Sequence, residues 1–199
     1  MNTDTLDELL ATIWKLLDEA QSTPSSPFRT AVIATTTGNA SGLRTVVLRD
    51  FNAQTPSLFC HTDRRSAKSQ QIAARPHTEW LFHDPDRQLQ IRLAGPAQVH
   101  TRGEQVRKLW QAAPPRARLG YLVETAPGSL SRKRTTGLPA GVLERYPSAQ
   151  ESETGFDNFA VIECQIEFVD WLQLGTFGHT RAQFWRQHDS TWKSAWVVP

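Results

Sequence analysis

The stretch SLFCHTDRRSAKSQQIAARPHTEWLFHD, Ser57–Asp84, sets a basic, hydroxyl-rich segment between two apolar runs. SLFCHT reads as a β-strand, RRSAKSQQIAA as a short helix and TEWLFHD as another strand. A strand that feeds straight into a helix presents the helix's unpaired N–H groups and positive dipole end to whatever lies off the strand. Thr62 and Ser66 add hydroxyl donors there, and Lys68 adds a mobile charge. Two readings follow: a phosphate site, or a solvated helix for which Thr62 or Asp63 is merely the N-cap.

Working outward, the pattern is hairpin after hairpin. FRTAVIATT and LRTVVLRDF flank the turn TGNASG, and QLQIRLAGPAQVHT forms a long fifth strand with Gln88 and Gln90 on one face. FAVIECQIEFVDWLQL reads as one long sixth strand; AQFWRQ and WKSAWVVP close the chain around the turn HDST. Apolar residues at helical spacing predict an N-terminal helix over 4–20, with Asn2, Thr3 or Asp4 as its cap. RGEQVRKLWQAA and the start of PPRARLGYLVE also read as helices. Residues 126–158 form a long loop rich in Pro, Gly, Ser and Thr, with a helical turn at AGVLERY. Six or seven hairpin-linked strands with peripheral helices predict a mainly β fold, an antiparallel barrel with Greek-key-like connections. A length of 199 residues suits a single domain, 1–199, that needs neither disulfide nor metal to fold.

Composition removes several functions. Lys and Arg number 22 against 20 Asp and Glu, so the chain lacks the basic excess of a nucleic-acid binder. Any anion recognition is therefore local. The pair Cys60 and Cys164 sits in apolar strand contexts and reads as buried free thiols, and no zinc or disulfide framework is expected. His77, His83, His100 and His188 have no matching ligand pattern, and neither a P-loop nor a G-x-S-x-G motif occurs. No run of about 18 apolar residues is present, and the acidic start is unlike a signal peptide. A soluble cytoplasmic protein without membrane contact is the expectation.

The remaining chemistry lies at Arg44 and Arg49, whose odd spacing puts them on opposite strand faces unless a bulge or the strand's end re-aims one. It also lies at Gln90, and at Trp171, His179 and Arg181 around the GTFG turn. Taken in order, RTVVLR (Arg44–Arg49), His61-Thr62, Ser66-Ala67-Lys68, QIRLAG (Gln90–Gly95), Trp171, HTR (His179–Arg181) and the closing WVVP resemble the pyridoxamine 5'-phosphate oxidase family of FMN-binding split β-barrels. The resemblance covers about Phe28 to Pro199. It departs at Arg49, where the family has Lys, at His61, where it has Tyr, and at Ala67, where it has Arg.

That resemblance implies FMN as cofactor and a homodimer with FMN sites at the subunit interface. Arg44, Thr62, Ser66 and Lys68 would surround the phosphate and ribityl chain, and Arg49 and Gln90 would lie near the ring. Thr45, Val46, Val47, Leu48, His61 and Ala67 fall within the same cofactor motifs. Trp171 and Arg181 would arrive from the partner chain. Among the family's substrate contacts Ala113 and Ala117 replace an Arg and a Ser, Phe177 replaces an Arg, and His179 survives as the one candidate catalytic residue. Phe177, Trp110 and the 126–158 loop are candidates for a more apolar substrate pocket. The implied function is an FMN-dependent oxidoreductase acting on a small organic substrate, the alternatives being a genuine pyridoxamine 5'-phosphate oxidase and a non-catalytic flavin-binding module. On this reading Arg64 and Arg65 are solvated.

Overall fold

In the computed structural model, which describes residues 5–142 and 145–199, ten antiparallel strands form a sheet that folds back on itself. The strands are β1 (Thr30–Thr37), β2 (Ala40–Val47), β3 (Asp50–Asn52), β4 (Ser57–Asp63), β5 (His77–Asp84), β6 (Leu89–His100), β7 (Phe159–Gln165), β8 (Phe168–Gln173), β9 (Thr180–Arg186) and β10 (Trp192–Val197). One path runs β10-β9-β8-β6-β5-β1-β2, and β7 joins β6 to β4, which carries β3. The helices are α1 (Leu6–Ser22), α2 (Ala67–Ala74), α3 (Glu104–Ala112), α4 (Pro115–Arg118) and α5 (Ala149–Glu153). The expected mainly β barrel with peripheral helices is the fold observed.

The split originates in β6. Its first half pairs with β8 (Leu89↔Gln173 to Ala94↔Phe168) and its second half with β7 (Ala97↔Cys164 to His100↔Val161). Gly95 sits at the changeover, where a Cβ would run into the Gln165 carbonyl oxygen. The expected single strand over 159–174 is accordingly two. At Ile166 and Glu167 the backbone N–H groups leave the ladder for the carbonyls of Pro56 (2.7 Å) and Ala94 (2.9 Å), and the chain turns from one sheet to the other. The expected strand LRTVVLRDF is likewise two: β2 ends at Val47, and Asp50–Asn52 form β3 against β4. Gln88 lies in the β5–β6 turn with φ +53°, so it shares no strand face with Gln90.

Alternation along the strands fills the barrel with Ile33, Trp80, Phe82, Ile91, Leu93, Val169 and Phe184, all fully buried. α1 starts at Leu6, capped reciprocally by Thr5 and Glu8, and ends two residues later than the sequence suggests. Its proposed caps Asn2, Thr3 and Asp4 lie outside the described residues. The helix closes one side of the barrel, with Trp14 packed on Phe51 (5.4 Å between ring centres) and on Trp192 (5.7 Å). A second, smaller core (Phe59, Val106, Trp110, Phe159, Val161) lies between α3 and the outer face of β4–β7. The long loop includes α5 and a 3₁₀ turn over Thr154–Asn158. Of the turn expected at AGVLERY, Ala140–Val142 is 3₁₀ helix and Leu143 and Glu144 lie outside the described residues. Both cysteines are free and buried, and burial pushes each thiol up to about 12.

Candidate functional site

The basic segment that opened the sequence reading is assembled around the start of α2. Ser66 is the N-cap residue but lends no side-chain cap, because its hydroxyl is engaged by Thr62 (3.2 Å) and Ser69 (3.1 Å). The N–H groups of Ala67 and Lys68 therefore keep their anion-binding capacity, while that of Ser69 donates to the Ser66 carbonyl (3.0 Å). Neither Thr62 nor Asp63 caps the helix. Asp63 instead binds the Arg65 backbone N–H (2.8 Å) and guanidinium (2.7 Å). Arg65 also donates to the carbonyls of Val123 (2.9 Å) and Glu124 (3.3 Å), so it ties the long loop to this corner and is not a solvated charge. Arg64 is exposed.

Lys68 is half-buried and has no hydrogen bond or ion pair among the described residues; burial lowers its pKa. Arg44, on β2, donates to Thr35 Oγ1 (2.5 Å), the Gly42 carbonyl (2.7 Å) and Gln71 Oε1 (3.2 Å). Thr35 in turn donates to Gln71, closing a network that fixes the guanidinium against α2. By register Arg44 opposes Ile33, so it shares the inner face with Val46, while Thr45 and Val47 point outward. Leu48 is wholly buried in the main core. Arg49 reaches the α2 corner because the strand has ended. Its N–H donates to Phe59 while Asp50 is Phe59's register partner, so two residues face one, the count of a bulge.

Two aromatic side chains complete this corner. His61 packs edge-on to Phe159 (4.8 Å), and its Nε2 is buried without a partner. Burial, reinforced by Arg49, lowers its pKa to about 4, so the imidazole is neutral. Tyr121 also packs edge-on to Phe159 (5.1 Å), and burial pushes its phenol well up. Its hydroxyl has no partner among the described residues. Nothing in the local sequence marked Tyr121; the 3₁₀ turn over Leu119–Tyr121 brings it in.

The remaining candidates lie elsewhere. Gln90 and Arg181 are on the outer face of the sheet, where they line a depression of about 170 Å³ with Leu81, Arg92, Asp170 and Leu172. Arg181 grips Asp170 (2.6 and 2.8 Å), as does Arg92 (3.0 Å). Burial alone would raise the Asp170 carboxyl, but the guanidiniums outweigh it and hold it low. Trp171 opposes Ala182 and Arg181 opposes Leu172, so the two point to opposite faces. Trp171 is buried, with its indole N–H unpaired. His179 is exposed in the β8–β9 turn, its Nδ1 accepting the Gly175 N–H (3.2 Å). Phe177 is fully exposed, whereas Trp110 is fully buried and donates to Glu153 (3.0 Å). Trp110 is thus a core residue and not part of a pocket wall. Arg118, also unforeseen, is a buried strut beneath it.

The donor set fits a phosphate-bearing ligand: uncapped helix N–H groups, two hydroxyls, and, beside the network-held Arg44, the half-buried Lys68 and the exposed Arg49, neither with an ion-pair partner among the described residues. Among the described residues there is no group of His, Cys, Asp and Glu able to hold a metal, and no helix long and apolar enough to cross a membrane.

Comparison with known proteins agrees with this architecture. Residues 10–101 match the family model for the pyridoxamine 5'-phosphate oxidase FMN-binding domain. A pyridoxine/pyridoxamine 5'-phosphate oxidase of Pseudomonas fluorescens (strain SBW25) is 25% identical over 198 residues, 97% of this chain and 89% of the relative. A pyridoxamine 5'-phosphate oxidase-related, FMN-binding protein of Nostoc punctiforme PCC 73102 superposes with a TM-score of 0.72 at 25% identity, over 95% of this chain and 96% of its own. PhzG of Burkholderia lata 383, solved with tetrahydrophenazine-1-carboxylic acid, shares the fold (TM-score 0.68, 13% identity, 98% and 95% of the two chains).

Proposed function

We propose that this chain, whose residues 10–101 match the pyridoxamine 5'-phosphate oxidase FMN-binding domain, is a member of that family of FMN-binding split barrels and itself an FMN flavoprotein, an oxidoreductase of a small organic substrate. The observation that carries this is the α2 corner, an uncapped helix start ringed by Thr62, Ser66, Arg44 and the unpaired Lys68 and Arg49. Arg44, Thr62, Ser66 and Lys68 hold the cofactor's phosphate and ribityl end, and Arg49 lies beside the ring. FMN, when bound, supplies the hydride or electron transfer. The chain's own part is orientation: Thr35 and Gln71 keep the Arg44 guanidinium in place before the anion arrives.

The working form is a homodimer. Arg44 is on the inner face of the sheet and Gln90 and Arg181 on the outer, so one chain does not bring the three to one ligand. A second copy can supply the missing pair. Titration of the purified protein into FMN tests the proposal through quenching of flavin fluorescence. Tight, stoichiometric quenching that drops at least tenfold in Arg44→Ala and little in Gln88→Ala is the expected result. Absence of quenching by the wild-type protein refutes it.

The Pseudomonas relative favours a second reading, a genuine pyridoxamine 5'-phosphate oxidase. Ala113, Ala117 and Phe177 speak against it, since none offers a donor to a substrate phosphate. Oxygen-dependent turnover of pyridoxamine 5'-phosphate decides between the two.

A further inference from the structure

We propose that Arg65 is a positioning residue for the anion site at the start of α2: it neutralises the buried Asp63 carboxylate and holds it off the helix N–H groups, which leaves them to a phosphate. This rests on the flavoprotein reading above.

An acid three residues before the N-cap Ser66 is a rival for the ligand, because helix N–H groups attract any nearby carboxylate. Asp63 ends β4, and its own carbonyl accepts the Ser66 N–H (3.0 Å) and the Ser69 hydroxyl (3.0 Å), so the residue is fixed against the first turn of α2. Its side chain is only 6% exposed, so water does little to screen the charge. Burial lowers the Lys68 pKa, and the Asp63 carboxylate works against that shift, so its field reaches the corner.

Arg65 engages that carboxylate at both oxygens. Its backbone N–H (2.8 Å) and Nε (3.1 Å) donate to Oδ1, and Nη2 donates to Oδ2 (2.7 Å). The guanidinium is not free to swing to an anion, because Nη2 and Nη1 also donate to the carbonyls of Val123 (2.9 Å) and Glu124 (3.3 Å). With Asp63 and Arg65 cancelling each other, Arg44 and Lys68 are left to balance a phosphate dianion. Without Arg65, a buried negative charge would stand uncompensated beside it. The loop keeps a second tie: the Arg64 N–H donates to the Asn158 carbonyl (2.8 Å), and Asn158 Nδ2 to the Tyr121 carbonyl (2.8 Å). The charge of Arg65 can therefore be removed without releasing the loop.

Flavin fluorescence quenching by wild type, Arg65→Gln and the double variant Asp63→Asn/Arg65→Gln, titrated with FMN and with riboflavin, tests the inference. Arg65→Gln keeps a donor for the loop carbonyls and removes the charge, so it should weaken FMN about tenfold and leave riboflavin, which has no phosphate, within about twofold of wild type. The double variant, in which neither charge remains, should bind FMN within about threefold of wild type. Unchanged FMN affinity in Arg65→Gln, an equal loss for riboflavin, or a double variant as weak as Arg65→Gln would each overturn it. Asp63→Asn alone covers the case in which Arg65→Gln does not fold: it should bind FMN at least as tightly as wild type, and weaker binding would overturn the inference. If wild-type protein does not quench FMN, the flavoprotein reading fails instead. Inorganic phosphate should then raise the Tm of wild type and of the double variant more than that of Arg65→Gln, and equal shifts would overturn the role of Arg65 as well.

Discussion

Replacing Arg118 should destabilise the chain more than any surface arginine while leaving the α2 corner intact. The side chain is nearly inaccessible, and its guanidinium lies 4.8 Å from the Trp110 ring centre. Nε donates to the Ala113 carbonyl (2.8 Å), Nη2 to Gln111 (3.1 Å) and Nη1 to Ser152 Oγ (3.2 Å), with Glu153 at 3.8 Å. Gln111 and Ala113 carry carbonyls at the end of α3 that no later turn can satisfy, so one fork ends α3 and fastens it to α5. Arg118→Ala strands those carbonyls and leaves Glu153 with Arg107 alone as its cation. Each lost bond costs about 1–3 kcal/mol, but water enters the vacated space and the terms do not add. Glu153 is half exposed and keeps Arg107, so the loss comes from the stranded carbonyls and the emptied space, and about 2–4 kcal/mol is expected. At about 2–4 °C per kcal/mol for a chain of this size, Tm should fall by about 10 °C. Urea unfolding of the cofactor-free protein, followed by tryptophan emission at fixed protein concentration, measures it. Arg118→Lys, which keeps the charge and loses the fork, should recover only part of the loss. A stability of Arg118→Ala within about 1 kcal/mol of wild type would refute the reasoning.

Other expectations concern the barrel corner, pH and the cap of α1. Gly95→Ala drives a methyl into the Gln165 carbonyl at the sheet changeover, and backbone cannot yield as a flexible side chain can; a loss of about 1–3 kcal/mol should appear in the same urea assay. His61 holds its folded pKa near 4, below the ordinary 6.5, so the unfolded chain binds a proton the folded one refuses. Its contribution should therefore be lost as pH falls from about 6.5 to 4, on the order of 3 kcal/mol. The stability of wild type should fall relative to that of His61→Phe through that window, and parallel curves would contradict the assignment. Thr5→Ala removes half of a reciprocal cap and should cost about 1 kcal/mol by thermal unfolding.

Much of the fold was legible because local rules and the tertiary result agree. Alternation in RTAVIATT and QIRLAG is the alternation of the burial, and Thr62, Ser66 and Lys68 do meet at a helix start. Failures came where a distant segment overrides the local pattern. VIECQIEFVDW has the apolar pattern of one strand, yet it breaks at Ile166 because Pro56 and Ala94 offer carbonyls off the ladder. Arg65 reads as a free charge until the loop over it supplies Val123 and Glu124. Trp110 reads as a pocket wall until α5 closes over it.

By itself, then, the sequence determined the class of fold and the helix start where Thr62, Ser66 and Lys68 meet, since strand period, helix start and donor types are properties of contiguous residues. Only the tertiary structure decided what each polar group faces. It put Trp171 and Arg181 on opposite sides of one sheet, turned Arg49 toward the α2 corner at the end of its strand, and set Tyr121 beside His61 from a turn sixty residues downstream. Those outcomes depend on strand pairing and chain closure, and neither is encoded in any window of neighbouring residues.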